Sequence, residues 1–179
     1  LDAADIAAIG VDAELIVGGK NYNTAIISNV KGIRAPQFRA ISSIAFHKLL
    51  DETKVNAAMI RSLVDKFYTK TDWNDPEINK DTEFLKKFVR HIADEARASG
   101  NEKGPLVRLR TFVNNVVEGF AVSPEGIDQL RKRSVLVQSA ILSVDLPAEV
   151  RESVRGAYLS ICKEAGLENV PVAVRSSAA

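Results

Sequence analysis

Cysteine, tryptophan and methionine each occur once in these 179 residues, histidine only twice, and 24 basic against 23 acidic side chains leave a net charge of +1. Each scarcity removes a class of function. One thiol, Cys162, cannot close an intramolecular disulfide and suits a reducing cytoplasm. It lies in the apolar run Tyr158-Leu159-Ser160-Ile161, where cysteine acts as a small buried hydrophobe. His47 and His91 stand in separate helical runs, which argues against zinc. The acidic pairs Asp51-Glu52 and Asp94-Glu95 read as helix-surface charges. Near-zero net charge gives no electrostatic ground for nucleic acid, and the cluster Arg131-Lys132-Arg133 reads as a cationic helix end opposing the dipole. No apolar run approaches the ~20 residues that span a bilayer, and no signal peptide is visible. The expectation is a cytoplasmic domain with neither membrane nor nucleic-acid partner, long enough for one substantial core.

Helical periodicity dominates the middle of the chain. Ser42 or Ser43 can cap a helix through Leu50, and Val55, Met59, Ile60, Leu63, Val64 and Phe67 recur at three- and four-residue spacing. Thr71 to Pro76 reads as a loop, with Asp75 and Pro76 as cap and first helical residue. A further stripe, Phe84 to Ile92, should stop at Gly100 in the turn-rich segment Ser99 to Pro105, the best candidate for a subdomain boundary. Pro105 opens an apolar pattern from Leu106 to Phe120, and Ser123-Pro124 is a second start signal. Val135 to Val144 fits helix or strand, with helix preferred. Leu146-Pro147 starts a last helix ending near Gly166. The expected organisation is a phosphate-binding β/α segment over 1–50, a helical insertion over 51–145, and a helix and strand over 146–179.

Two short patches at opposite ends carry chemistry. Gly18-Gly19-Lys20-Asn21 follows the β-type run Glu14 to Val17 and precedes a helix expected over Asn21 to Val30. Paired glycines let the backbone adopt positive φ and approach a ligand closely. The first-turn N–H groups of the helix lack internal partners, and its dipole favours an anion. Lys20 adds a mobile point charge. The spacing is not that of a P-loop, since Glu14 stands where the first glycine would be and no Ser or Thr follows the lysine. A tight turn with a solvated lysine is the plainer alternative. At the other end, Val170 to Val174 reads as a strand delivering Arg175, whose planar guanidinium suits bidentate phosphate contact, and then Ser176 and Ser177. An exposed arginine after an edge strand is its plainer alternative.

Together Val17-Gly18-Gly19-Lys20-Asn21, a helix, the Gly32-x-x-x-Pro36 connection, a short strand ending near Ser42-Ser43 and the final Val-Ala-Val-Arg-Ser-Ser-Ala resemble the start of the ATP-binding region of phosphoenolpyruvate synthase and pyruvate phosphate dikinase. The resemblance implies an α+β chain, the first part of an ATP-grasp-like nucleotide-binding domain with a predominantly helical insertion. It implies that Lys20 and Arg175 contact nucleotide phosphates as the catalytic pair, with Gly18, Gly19, Asn21, Ser176 and Ser177 completing the ATP contacts. It implies cleavage of ATP to AMP and phosphate, with a phosphoryl group carried by a histidine on another domain or subunit to an acceptor such as pyruvate or phenol. Mg²⁺ is implied too, with ligands outside this chain. Neither His47 nor His91 resembles the family's phosphorylated histidine.

The chain also departs from the pattern. Pro36-Gln37-Phe38-Arg39 lacks the usual glycine before phenylalanine, Tyr22-Asn23-Thr24 replaces mostly small residues, and the stretch between the motifs is long. A chain starting at Leu1 and stopping after Arg175 to Ala179 reads as part of a larger polypeptide. Half a site forfeits contact area that offsets the entropy of association, so inactivity in isolation is expected. A helical binding or assembly module that keeps the scaffold without nucleotide is the alternative from another class.

Overall fold

The computed structural model describes residues 1–76, 78, 82–100, 103–118 and 126–174. In chain order the elements are α1 (Ala3–Ile9), a 3₁₀ turn (Gly10–Asp12), α2 (Ala13–Val17), α3 (Gly19–Ser28), α4 (Ser43–Glu52), β1 (Lys54–Val55), α5 (Ala57–Tyr68), α6 (Thr82–Ala98), β2 (Val107–Arg108), α7 (Leu109–Val117), α8 (Gly126–Leu142) and α9 (Ala148–Ala165). They fall into two units, Leu1–Lys48 with Pro147–Ala179, and Leu49–Leu146. The described structure is thus mostly helical with one two-stranded antiparallel sheet, an α+β composition.

The first unit begins with a reciprocal cap. Asp2 accepts from the Asp5 N–H and Asp5 accepts from the Asp2 N–H, each at 2.9 Å, so two orphan donors of α1 are satisfied. Its core joins Ile6, Ala13, Val17, Ala25 and Ala40, with Ile16, Tyr22 and Phe38 packed against them. At one point the 33–42 segment is tied to the chain start: the Ala40 N–H donates to the Leu1 carbonyl at 2.8 Å, and the Leu1 ammonium donates to the Ala40 carbonyl at 3.1 Å. Arg39 holds its own segment to α9, donating to Ser160 Oγ at 2.8 Å and pairing with Glu164. At its C-terminus α9 closes on Gly166, left-handed at φ 67°, with the Leu167 N–H returning to the Cys162 carbonyl at 3.1 Å, a Schellman arrangement.

In the second unit α5, α6, α7 and α8 enclose a core that includes Ile60, Val64, Val89, Ile92, Leu109, Phe112 and Val135. Burying such side chains contributes roughly 1.5–3 kcal/mol each. Asn56 caps α5, accepting from the Met59 N–H at 3.0 Å, and its amide donates to the Lys103 carbonyl at 2.8 Å. That bond ties the Ser99 to Pro105 turn into the unit, so the turn is internal to it and not the subdomain boundary the sequence suggested. β1 and β2 pair antiparallel, Lys54 opposite Arg108 and Val55 opposite Val107. Strand pairing was not expected there: residues 107–108 interrupt the stripe read as helix from Leu106, which starts at Leu109. Val135 to Leu142 is helical, within α8.

None of the strands expected in the first unit forms among the described residues. The run Glu14 to Val17 is helical because Ala13 and Val17, four apart, point together into the core while Leu15 is 72% exposed. A strand would have put Leu15 and Val17 on one face. The segment approaching Ser42-Ser43 belongs to no helix or strand, and its Ala40 makes the backbone pair with Leu1. Val170 to Val174 forms no ladder among the described residues, and Val174 is 91% exposed. The Ser123-Pro124 start signal lies outside the described residues, as do Arg175, Ser176 and Ser177.

Candidate functional site

Gly18 is the junction between α2 and α3. Its backbone sits at φ 79°, ψ 153°, a conformation that strains any residue with a Cβ. Two bonds fix it there: its N–H donates to the Glu14 carbonyl at 2.8 Å, ending α2, and its carbonyl accepts from the Tyr22 N–H at 3.0 Å, opening α3. Helix α3 therefore starts at Gly19, two residues before the expected Asn21, and Gly19 and Lys20 lie in its first turn. No side chain caps this terminus. The N–H groups of Gly19, Lys20 and Asn21 are those a helix leaves without internal carbonyl partners.

The side chains divide between structure and solvent. Asn21 turns back, its amide donating to the Val17 carbonyl at 2.8 Å, which satisfies the last carbonyl of α2 and makes the bend rigid. The Thr24 hydroxyl donates to the Lys20 carbonyl at 2.8 Å. Lys20 itself is exposed, and its ammonium makes no ion pair among the described residues. Beside the turn, an oxygen of the Glu14 carboxylate lies 2.9 Å from where a Cβ on residue 19 would stand. A backbone bend fixed by hydrogen bonds, an uncapped helix start and an exposed lysine are groups that can attract an anion.

Toward the other patch, Tyr158 on α9 holds Val170: its hydroxyl accepts from the Val170 N–H at 3.3 Å and donates to the Val170 carbonyl at 3.4 Å. This reciprocal pair anchors the chain five residues before Arg175. Two cavities of about 300 and 240 Å³ in the first unit are lined by neither Gly18 to Asn21 nor the Val172 to Val174 segment. Among the described residues no group of three or more His, Cys, Asp or Glu side chains is placed to hold a metal ion. His91 packs edge-on to Phe67, ring centroids 4.7 Å apart. No described helix is long and apolar enough to cross a membrane.

Comparison with known proteins bears on the family of the chain. A family model described as pyruvate phosphate dikinase, AMP/ATP-binding domain, matches residues 14–179. Among relatives, the phosphoenolpyruvate synthase of Pyrococcus furiosus is 24% identical over 163 residues, 91% of this chain and 17% of the relative. The probable phosphoenolpyruvate synthases of Pyrococcus abyssi and Pyrococcus horikoshii are 23% and 22% identical over the same extent. The chain thus spans 17% of the length of each. No solved structure matches.

Proposed function

Because the chain belongs to the pyruvate phosphate dikinase AMP/ATP-binding family, we propose that it holds the phosphates of ATP on the Gly18 to Asn21 turn, as the first part of an ATP-grasp-like domain in a dikinase. The observation that carries this is Gly18 at φ 79°, opening an uncapped helix whose first turn bears an exposed lysine. In this proposal the N–H groups of Gly19 to Asn21 and the Lys20 ammonium bind the outer phosphates, and Arg175 neutralises charge as the phosphate chain is cleaved. Ser176 and Ser177 add hydroxyl or backbone donors. Catalysis then consists of positioning and electrostatic stabilisation. ATP is split to AMP and phosphate, and a histidine on another domain or subunit carries the phosphoryl group to an acceptor, pyruvate or another such as phenol.

Mg²⁺ belongs to phosphoryl chemistry of this kind, but the described residues offer no group of three or more His, Cys, Asp or Glu side chains for it. The alternative of a helical assembly module needs an exposed apolar face between residues 55 and 120. Among the described residues only Val117 is a large exposed hydrophobe in that range.

The test is calorimetric titration of Mg-ATP into the full polypeptide carrying this chain, with Lys20→Ala and Arg175→Ala as variants. A charge-assisted hydrogen bond contributes about 1.5–3 kcal/mol, so each variant should weaken binding by roughly 10- to 150-fold. Wild-type affinity in both variants refutes the assignment.

A further inference from the structure

A phosphate cradle should be lined by donors, yet a carboxylate stands at this one. An oxygen of Glu14 lies 2.9 Å from the position a Cβ on Gly19 would occupy. Gly19 is the first residue of α3, so that oxygen lies beside the first turn of the helix. There the dipole and the unpaired N–H groups favour an anion. The Glu14 backbone is held by the Gly18 N–H at 2.8 Å, which keeps the side chain one turn from the site in every state that retains the bend. The side chain is exposed and makes no ion pair among the described residues, so it is free to swing.

Resting on the phosphate-binding proposal above, we infer that Glu14 is a resident competitor for phosphate at the start of α3: its carboxylate covers Gly19 when no nucleotide is bound and moves aside when a polyphosphate arrives. It is a positioning residue that sets the site's affinity and its preference among anions of different charge. A carboxylate beside phosphates can instead hold a divalent cation, but no second and third ligand accompany Glu14 among the described residues.

The two roles predict opposite signs. A negative charge at ~6 Å in water-like surroundings costs about threefold in affinity per unit of ligand charge before salt screening. Glu14→Gln, which keeps the shape and removes the charge, should therefore bind ATP about tenfold more tightly than wild type. The gain should be smaller for AMP and absent for adenosine, a gradation that a purely structural role would not produce. Calorimetric titration of ATP, AMP and adenosine into the full polypeptide, with Mg²⁺ and with EDTA, reads this directly, and Glu14→Ala serves if the glutamine variant fails to fold. Unchanged or weaker ATP binding by a folded charge-removing variant overturns the inference, and weakening confined to the Mg²⁺ series identifies a metal ligand instead. If wild-type ATP binding is present but insensitive to Lys20→Ala, the phosphate site itself is misplaced and both proposals fall. Binding that Lys20→Ala weakens and Glu14→Gln does not tighten removes the competitor alone.

Discussion

Replacing Gly18 and Gly19 in turn by alanine separates what the bend needs for folding from what it needs for ligand. At Gly18 the backbone angles, φ 79° and ψ 153°, are ones that alanine adopts at a cost of about 1–3 kcal/mol. The residue is also buried at the α2–α3 junction, where two hydrogen bonds hold it in place. Taking about 2 kcal/mol and the usual 2–4 °C per kcal/mol for a chain of this size, Gly18→Ala should lower the melting temperature by roughly 4–8 °C. Gly19 is a helical residue, and a Cβ there meets only the end of the flexible Glu14 side chain, at 2.9 Å. Alanine costs nothing in backbone strain and limits the unfolded chain, a gain of about 0.4–1 kcal/mol. Yet in the proposed site the new methyl group occupies the surface across which phosphate would approach the first-turn N–H groups. Gly19→Ala should therefore melt at or slightly above the wild-type temperature while losing ATP affinity. Circular-dichroism melts and ATP titrations of the two variants decide it. Equal destabilisation by both substitutions, or full ATP binding by Gly19→Ala, refutes the reasoning.

Tyr68 donates to Asp128 Oδ1 at 2.6 Å and is 5% exposed. Burial first, and then this bond to the neighbouring carboxylate, raises the phenol well above its ordinary pKa of about 10. A raised folded pKa means stability that is complete below pH ~10 and is lost as pH climbs toward the folded value. Tyr68→Phe should remove that alkaline dependence from urea midpoints measured between pH 8 and 11, and cost about 1 kcal/mol at neutral pH; a retained alkaline slope would exclude Tyr68 as its source. At the acid end, the Asp5 N–H donating to Asp2 lowers the Asp2 carboxyl below its ordinary value. Its contribution is present at neutral pH and lost as pH falls through the folded pKa. Asp2→Ala should cost about 1 kcal/mol at pH 7 and less below pH 3, and equal loss at both pH values in thermal melts would rule the cap out as the cause.

Elements whose pattern is local were legible in the chain itself. The stripe from Met59 to Phe67 and the stripe from Phe84 to Ile92 became α5 and α6, and Gly100 closes α6 at φ 77°. Gly166 ends α9, and Pro76 is helical directly after the Trp73 loop. Capping, left-handed glycines and a 3.6-residue period act within a few residues, so sequence expresses them directly. Glu14 to Val17 misled because its three apolar residues, Leu15, Ile16 and Val17, are too few to show a period. What decided the conformation was which neighbours covered Ala13 and Val17. The pairing of Lys54-Val55 with Val107-Arg108 joins segments about fifty residues apart, and nothing within either segment announces the other.

At the candidate site the division is the same. Residue identity alone determined that paired glycines, a lysine and a helix start stand together, because those groups are consecutive along the chain. It also determined family membership, carried by motifs whose chemistry is written in their residue types. Only the tertiary structure decided that Asn21 spends its amide on the Val17 carbonyl, that Tyr158 grips Val170, and that a Glu14 carboxylate oxygen lies beside Gly19. Those outcomes depend on the direction each side chain takes after the backbone has bent, and direction is set by the packing around the bend, which no one-dimensional pattern records.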